Sequence, residues 1–151
     1  MAEARQPSLT IKRRLKAPAE KVFAAWTQPE ALKRWFRPDE DTVVLVAQAD
    51  LRVGGRYRLV ARGGSGEEHR VGGVYREIVA NRKLVFTWAW ESTPERESLV
   101  TIDIEPDGAG CILTLTHERF FDEAARDRHR TGWTGCLDAL ERMLAQTPTG
   151  R

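Results

Sequence analysis

The stretch Asp122-Glu123-Ala124-Ala125-Arg126-Asp127-Arg128-His129-Arg130-Thr131-Gly132-Trp133-Thr134-Gly135-Cys136-Leu137-Asp138-Ala139-Leu140-Glu141-Arg142-Met143-Leu144-Ala145 sets the architecture of the chain. Within it Ala125, His129, Trp133, Cys136, Leu140 and Met143 recur at spacings of three and four, the period of one helix face. Asp122 has the side chain of an N-cap, so the segment predicts one helix from there to about Ala145. Gly132 and Gly135 flank Trp133, and a glycine in mid-helix costs about 1 kcal/mol relative to alanine. A close backbone approach, or room left beside Trp133, would account for them.

Working back from this helix, the period changes to two. Cys111 to Glu118 and Ser98 to Glu105 predict a hairpin across Pro106-Asp107-Gly108. Before them come strands over Lys83 to Glu91, Glu68 to Ile78, Arg56 to Ala61 and Thr42 to Ala47, with turns at Asn81, Gly63-Gly64-Ser65-Gly66 and Gly54-Gly55. Val74, Tyr75 and Ile78 do not keep one period, which predicts a bulge. Thr27-Gln28-Pro29-Glu30 has the shape of a capping box and opens a short helix that buries Leu32, Trp35 and Phe36. Ala17-Pro18 opens another, with Val22, Phe23 and Trp26 on its apolar stripe, and Leu9 to Leu15 alternates as a first strand. The order is strand, two short helices, six antiparallel strands and one long helix, an α+β class with the helices on one face of the sheet. A single domain over residues 8–146 is expected, with disordered ends at 1–7 and 147–151.

That order carries a geometric consequence. Seven strands at about 4.8 Å make a sheet on the order of 34 Å wide. One helix is about 10–12 Å across, and at 24 residues about 36 Å long, so it runs the length of the sheet without covering its width. Curling of the sheet and the two short helices supply part of the cover; any remaining apolar face lines a cavity or a partner interface. Leu84, Phe86, Trp88 and Trp90 share one strand face; Tyr57 and Leu59 share another, as do Leu113, Leu115 and His117. These side chains either interdigitate as a dry core or wall a pocket.

Composition limits the alternatives. The 151 residues carry 24 Lys plus Arg against 22 Asp plus Glu, a formal charge of +2, too small to make nucleic acid the default partner. With 41% hydrophobic and 30% charged residues the composition is that of a globular chain, and no apolar run approaches a membrane span. Residues 1–7 lack the apolar core of a secretory signal, and two cysteines make no disulfide framework, so a reducing cytoplasm is the expected home. Nineteen of the 24 cations are Arg, spread along the chain and interleaved with acids, as on a solvated surface. Five of the twelve aromatics are Trp, and their phases allow all five to converge on one side of the sheet.

Catalytic signatures are few. Gly63-Gly64-Ser65-Gly66 lacks the Lys and Ser/Thr of a phosphate loop, and none of the four serines has a sequence-evident base. Cys111, His117, His129 and Cys136 are ligand types that zinc accepts, but no close ligand pair occurs, so no metal and no cofactor is expected. His117 and His129 fall at one mouth of the expected pocket, where two imidazoles either orient a polar group, serve as acid and base, or hydrogen-bond backbone.

Residues 17–30 together with Leu32 and Trp35-Phe36, the stretch Gly73-Val74-Tyr75-Arg76-Glu77-Ile78 with Leu84-Val85-Phe86-Thr87-Trp88, and Leu113-Thr114-Leu115-Thr116-His117 with His129-Arg130-Thr131-Gly132-Trp133 resemble the signatures of the activator of heat shock protein 90 ATPase homologue family. The resemblance runs from about Leu9 to Leu144. It implies the helix-grip fold of the START-like, SRPBCC superfamily: a curved antiparallel sheet wrapped around a long C-terminal helix, with a hydrophobic cavity between them.

The leading expectation is a binding protein for a hydrophobic or aromatic small molecule. Its cavity would be lined by Trp35, Phe36, Tyr57, Leu59, Phe86, Trp88, Trp90, Leu113, Leu115, His117, His129, Trp133 and Cys136, with His117, Trp35 and Phe36 at the mouth. A chaperone or other protein partner, which the resemblance implies, is the second reading. A cyclase- or hydrolase-like enzyme using His117 or His129 is the third. No catalytic residue is assigned, and monomer and homodimer both stay open.

Overall fold

The computed structural model describes residues 6–146; of the ends expected to be disordered, 1–7 and 147–151, only Gln6 and Pro7 are among them, and the Pro7 carbonyl accepts from the Phe120 N–H at 3.1 Å. The elements run β1 (Leu9–Leu15), α1 (Ala19–Thr27), α2 (Pro29–Trp35), β2 (Val43–Ala49), β3 (Arg56–Arg62), β4 (Glu68–Val79), β5 (Lys83–Trp90), β6 (Ser98–Asp107), β7 (Gly110–Glu118) and α3 (Glu123–Gln146). The seven strands form one antiparallel sheet in the order β1-β7-β6-β5-β4-β3-β2. The sheet curves around α3, which is the expected helix-grip architecture.

Strand β1, first in sequence, pairs with β7, last in sequence, so the two ends of the chain are joined by a ladder from Leu9↔His117 to Leu15↔Cys111. Arg13 on β1 reaches Asp138 at 3.0 Å and Glu141 at 2.5 Å, tying α3 to that edge. Asp122 caps α3 as expected, its Oδ1 accepting from the Ala125 N–H at 2.8 Å. The helix buries Ala125, Trp133, Cys136, Leu137, Ala139, Leu140 and Leu144. On the sheet, Leu84, Phe86 and Trp88 of β5 and Cys111, Leu113, Leu115 and His117 of β7 are buried; Trp90 is half-buried against them.

Three local expectations change. Thr27 does not cap α2: it lies in the last turn of α1, and its Oγ1 donates back to the Phe23 carbonyl at 2.9 Å. Gln28 holds the N-cap position without a side-chain bond, and Pro29 starts the helix by its fixed φ alone. Pro18 is the residue before α1, its carbonyl accepting from the Lys21 and Val22 N–H groups. The β6–β7 turn is shorter than expected: β6 continues through Pro106, which pairs with Cys111, and only Gly108 and Ala109 form the loop. Proline is tolerated there because β5, the neighbour on the other side of β6, pairs only as far as Lys83↔Asp103. The expected irregularity in β4 is present as a register shift between Tyr75 and Glu77.

Candidate functional site

The tryptophans form a continuous chain of ring contacts through the interior. Trp35 meets Trp26 at 4.6 Å between centroids, Trp26 meets Trp133 at 5.8 Å, Trp133 meets Trp88 at 5.0 Å, and Trp88 meets Trp90 at 5.5 Å. Four of the five are at most 5% exposed. An indole N–H is a donor only, so each buried one needs an acceptor. Trp35 donates to the Ala25 carbonyl at 2.8 Å and three others donate to histidines, while the buried Trp26 Nε1–H has no partner among the described residues.

Those bonds fix both imidazoles. The Trp133 Nε1–H donates to His117 Nδ1 at 2.9 Å, so Nδ1 carries no proton and the neutral ring is protonated at Nε2. That N–H donates to Ser98 Oγ at 2.7 Å, and the Ser98 hydroxyl donates in turn to the Trp88 carbonyl at 3.1 Å. His129 is the reverse. Its Nε2 accepts from Trp90 at 2.9 Å and more weakly from Trp88 at 3.3 Å, and its Nδ1–H donates to the Ala125 carbonyl at 2.7 Å. Burial, with the neighbouring His129 second, holds the His117 pKa well below its usual value; burial, then Arg128, lowers that of His129, while the bond to Ala125 opposes the shift. A general base needs a free acceptor nitrogen, and here each is occupied by an indole donor. The pair is built to stay neutral and hold tryptophans.

Open space lies at one end of this chain. A cleft of about 340 Å³ is bounded by Phe36, Trp88, Trp90, Trp133 and Cys136, with Pro38, Asp39 and Thr42 from the segment after α2, Ala61, Gly63, Gly64, Glu67, His69 and Val71 from the β3–β4 hairpin, and Arg128, His129 and Gly132 from α3. The two helix glycines divide the explanations offered for them. A Cβ on Gly135 would lie 1.9 Å from the Pro38 carbonyl oxygen, so that glycine lets the chain after α2 cross the helix. A Cβ on Gly132 would meet only the Pro38 Cβ at 4.0 Å, so that glycine leaves room in the cleft.

The expected lining residues separate into three groups. Phe36, Trp88, Trp90, His129, Trp133 and Cys136 bound the cleft. Leu59 and Phe86 face a void of only about 20 Å³, where the side chains interdigitate, and Tyr57 borders both this void and a separate recess of about 520 Å³. Trp35, Leu113, Leu115 and His117 are 0% exposed and border no described cavity. His117, expected at the mouth, is instead sealed behind Trp133 and Phe120, whose ring lies 4.1 Å away. Trp35 is likewise interior, since α2 turns its indole toward α1.

Sequence reasoning missed the polar part of the rim: Asp39, Thr42, Glu67, His69 and Arg128. None repeats with a structural period, and the turn at residues 63–66 gave no sign of which way it folds. The Gly73 position was another miss. Its Cβ would sit 1.9 Å from the Thr87 carbonyl oxygen, the same oxygen to which Tyr57, directly across the ladder from Gly73, donates its hydroxyl at 2.5 Å. Among the described residues no group of three or more His, Cys, Asp or Glu side chains stands together as metal ligands, and no helix is long and apolar enough to cross a membrane.

Comparison with known proteins gives a consistent picture. Residues 16–145 match the family model described as Activator of Hsp90 ATPase homolog 1-like protein. No curated protein matches. Among solved structures, a protein from Chromobacterium violaceum superposes with a TM-score of 0.82 at 28% identity, over 91% of this chain and 96% of that one. The AHSA1 protein from Silicibacter pomeroyi gives 0.81 at 30% identity, over 92% and 98%. A protein from Rhizobium leguminosarum gives 0.78 at 31%, over 93% and 95%. The sequence signatures, the sheet gripping α3 and the family match over most of the length agree, and the chain belongs to the Activator of Hsp90 ATPase homolog 1-like protein family.

Proposed function

We propose that the chain is a binding protein for a hydrophobic or aromatic small molecule, held in the cleft between α3, the segment after α2 and the β3–β4 hairpin. The observation that carries this reading is Gly132, where an added Cβ would meet only the Pro38 Cβ at 4.0 Å, so this stretch of the helix leaves the cleft open where a long side chain would fill it. At about 340 Å³ the cleft is at the small end of ligand-sized pockets. Its aromatic walls offer stacking and edge contacts to a flat molecule. Thermal stability measured across a library of aromatic and lipid compounds tests it. A hit should raise the melting temperature, and Gly132→Leu should abolish that rise while leaving the fold intact; a library without hits would count decisively against the reading.

The family match supports a second reading, a co-chaperone-like protein interaction. It predicts stimulation of the cognate chaperone's ATPase, and an assay without stimulation or co-purification would end it. The reading that uses a histidine as base finds no support in the occupied imidazoles. A reducing cytoplasm suits Cys111 and Cys136, which are both unpaired and buried.

A further inference from the structure

We infer that the aromatic cleft and a second recess beside it form one site for an aromatic carboxylate, its ring among the tryptophans and its carboxylate at Arg128 and Arg96. This rests on the small-molecule reading above and adds the ligand's charge and orientation.

The second recess, about 630 Å³, shares His69, Trp88, Trp90, Arg128 and His129 with the cleft, so the two spaces meet around the Trp90–His129 hydrogen bond. Their chemistry differs. The cleft is lined by three tryptophans and by Ala61, Gly63, Gly64 and Gly132, whereas the recess carries three guanidinium groups, Arg70, Arg96 and Arg128, and two carboxylates, Glu68 and Glu91. Both carboxylates are already engaged: Glu68 accepts from Arg70 at 2.6 Å, and Glu91 accepts from Arg58 at 2.7 Å. That leaves Arg96 and Arg128 without a carboxylate partner among the described residues. Arg96 lies 3.9 Å over the ring of Phe121, itself 58% exposed, a contact that orients the guanidinium without neutralising it.

The opposite end is negative. Asp39 and Glu67 border the cleft and not the recess. Asp39 is held by the Asp41 N–H at 3.0 Å and the Thr42 hydroxyl at 2.8 Å, and Glu67 accepts from the Ser65 hydroxyl. A ligand carrying one negative charge is thus repelled from the Asp39–Glu67 end and attracted to the Arg96–Arg128 end, which fixes its direction as well as its sign. His129 sits between them with its acceptor nitrogen satisfied by indoles and its Nδ1–H donated to the Ala125 carbonyl, so this ring has no free N–H to offer the carboxylate. A planar guanidinium matches a carboxylate bidentately, which a neutral ligand cannot use.

The test is calorimetric titration of the whole chain with 2-naphthoic acid and with 2-naphthamide, which share a ring and differ in charge. The acid should bind about tenfold or more tightly than the amide, and its affinity should fall as salt rises. Arg96→Gln with Arg128→Gln should remove about tenfold from the acid and less than about twofold from the amide, whose unchanged binding reports an intact fold. Gly132→Leu should weaken both. Equal affinity for acid and amide, or an acid affinity insensitive to the arginine changes, overturns the charge assignment and leaves the aromatic cleft standing. Binding of neither probe to the unaltered protein overturns both.

Discussion

The neutral histidines make stability depend on acidity in a way that can be worked out in advance. In the folded protein the His117 and His129 pKa values lie below the usual 6.5, the first well below it, chiefly because both rings are buried. The unfolded chain therefore binds more protons than the folded one once the pH falls under 6.5, and acid favours unfolding. The stability is fully present above pH 6.5 and is lost from there downward, until the folded rings themselves protonate. For a histidine that stays neutral when folded, the loss between pH 7.5 and 5.5 is about 1.4 kcal/mol, from RT ln(1 + 10) at one unit below 6.5; two give at most about 2.8 kcal/mol. His129→Gln keeps a carbonyl acceptor for the Trp90 indole but cannot titrate, so its loss over the same interval should be at most about 1.4 kcal/mol and smaller than that of the unaltered protein. Urea denaturation followed by tryptophan fluorescence at the two pH values, with an unchanged denaturant slope, provides the numbers. A free energy that stays flat between pH 7.5 and 5.5 would refute the assignment of neutral rings. Equal losses in the two proteins would remove His129 from it.

The same bonds require opposite tautomers, and long-range nitrogen–carbon correlation spectra should show His117 protonated at Nε2 and His129 at Nδ1; a shared tautomer is incompatible with the indole donors. Ser98→Ala leaves the His117 N–H buried without an acceptor, so it should cost about 1–3 kcal/mol by urea denaturation, and a loss below about 0.5 kcal/mol would argue against the relay. Gly135→Ala drives a methyl into the Pro38 carbonyl and should destabilise by about 1–3 kcal/mol, lowering the melting temperature on the order of 3–9 °C, whereas Gly132→Ala should be neutral or stabilise by up to about 1 kcal/mol. Calorimetric scans that rank the two glycines the other way would reverse the roles assigned to them.

How far each feature could be read from the sequence follows from the range of the interaction that sets it. Strand period, the Asp122 cap and the α3 stripe are decided by neighbours a few residues apart, and these were legible nearly to the residue. The capping box at Thr27 failed because only Gln28 separates the two helices: Thr27 is still in the last turn of α1, bonded back to Phe23, and Gln28 takes the N-cap position of α2. Face assignment was legible too, since Trp88, Trp133 and Phe36 do converge. Whether a shared face is filled or open was not. Period places Tyr57, Phe86 and Leu113 on the inner face equally with Trp88, yet the first two close on a void of about 20 Å³ and the third is sealed.

The difference lies in what the chain lays over each part of the sheet, and that is a long-range contact. Helices α1 and α2 bring Trp26 and Leu32 down over Tyr57 and Phe86 and exclude space there. Past Phe36 the chain leaves helical geometry, crosses α3 at Gly135 and is held above the helix by the Pro38 backbone, so nothing descends onto Trp88 and Trp133 beyond that point. The cleft is thus the consequence of one crossing. Its size then depends on the Pro38–Gly135 approach as well as on the tryptophans that line it. Two glycines three residues apart then act in opposite senses: Gly135 brings a backbone close, and Gly132, nearly one turn earlier on the same face, keeps the space that this approach leaves. In the sequence they looked like one feature with two explanations; each explanation belongs to one of them.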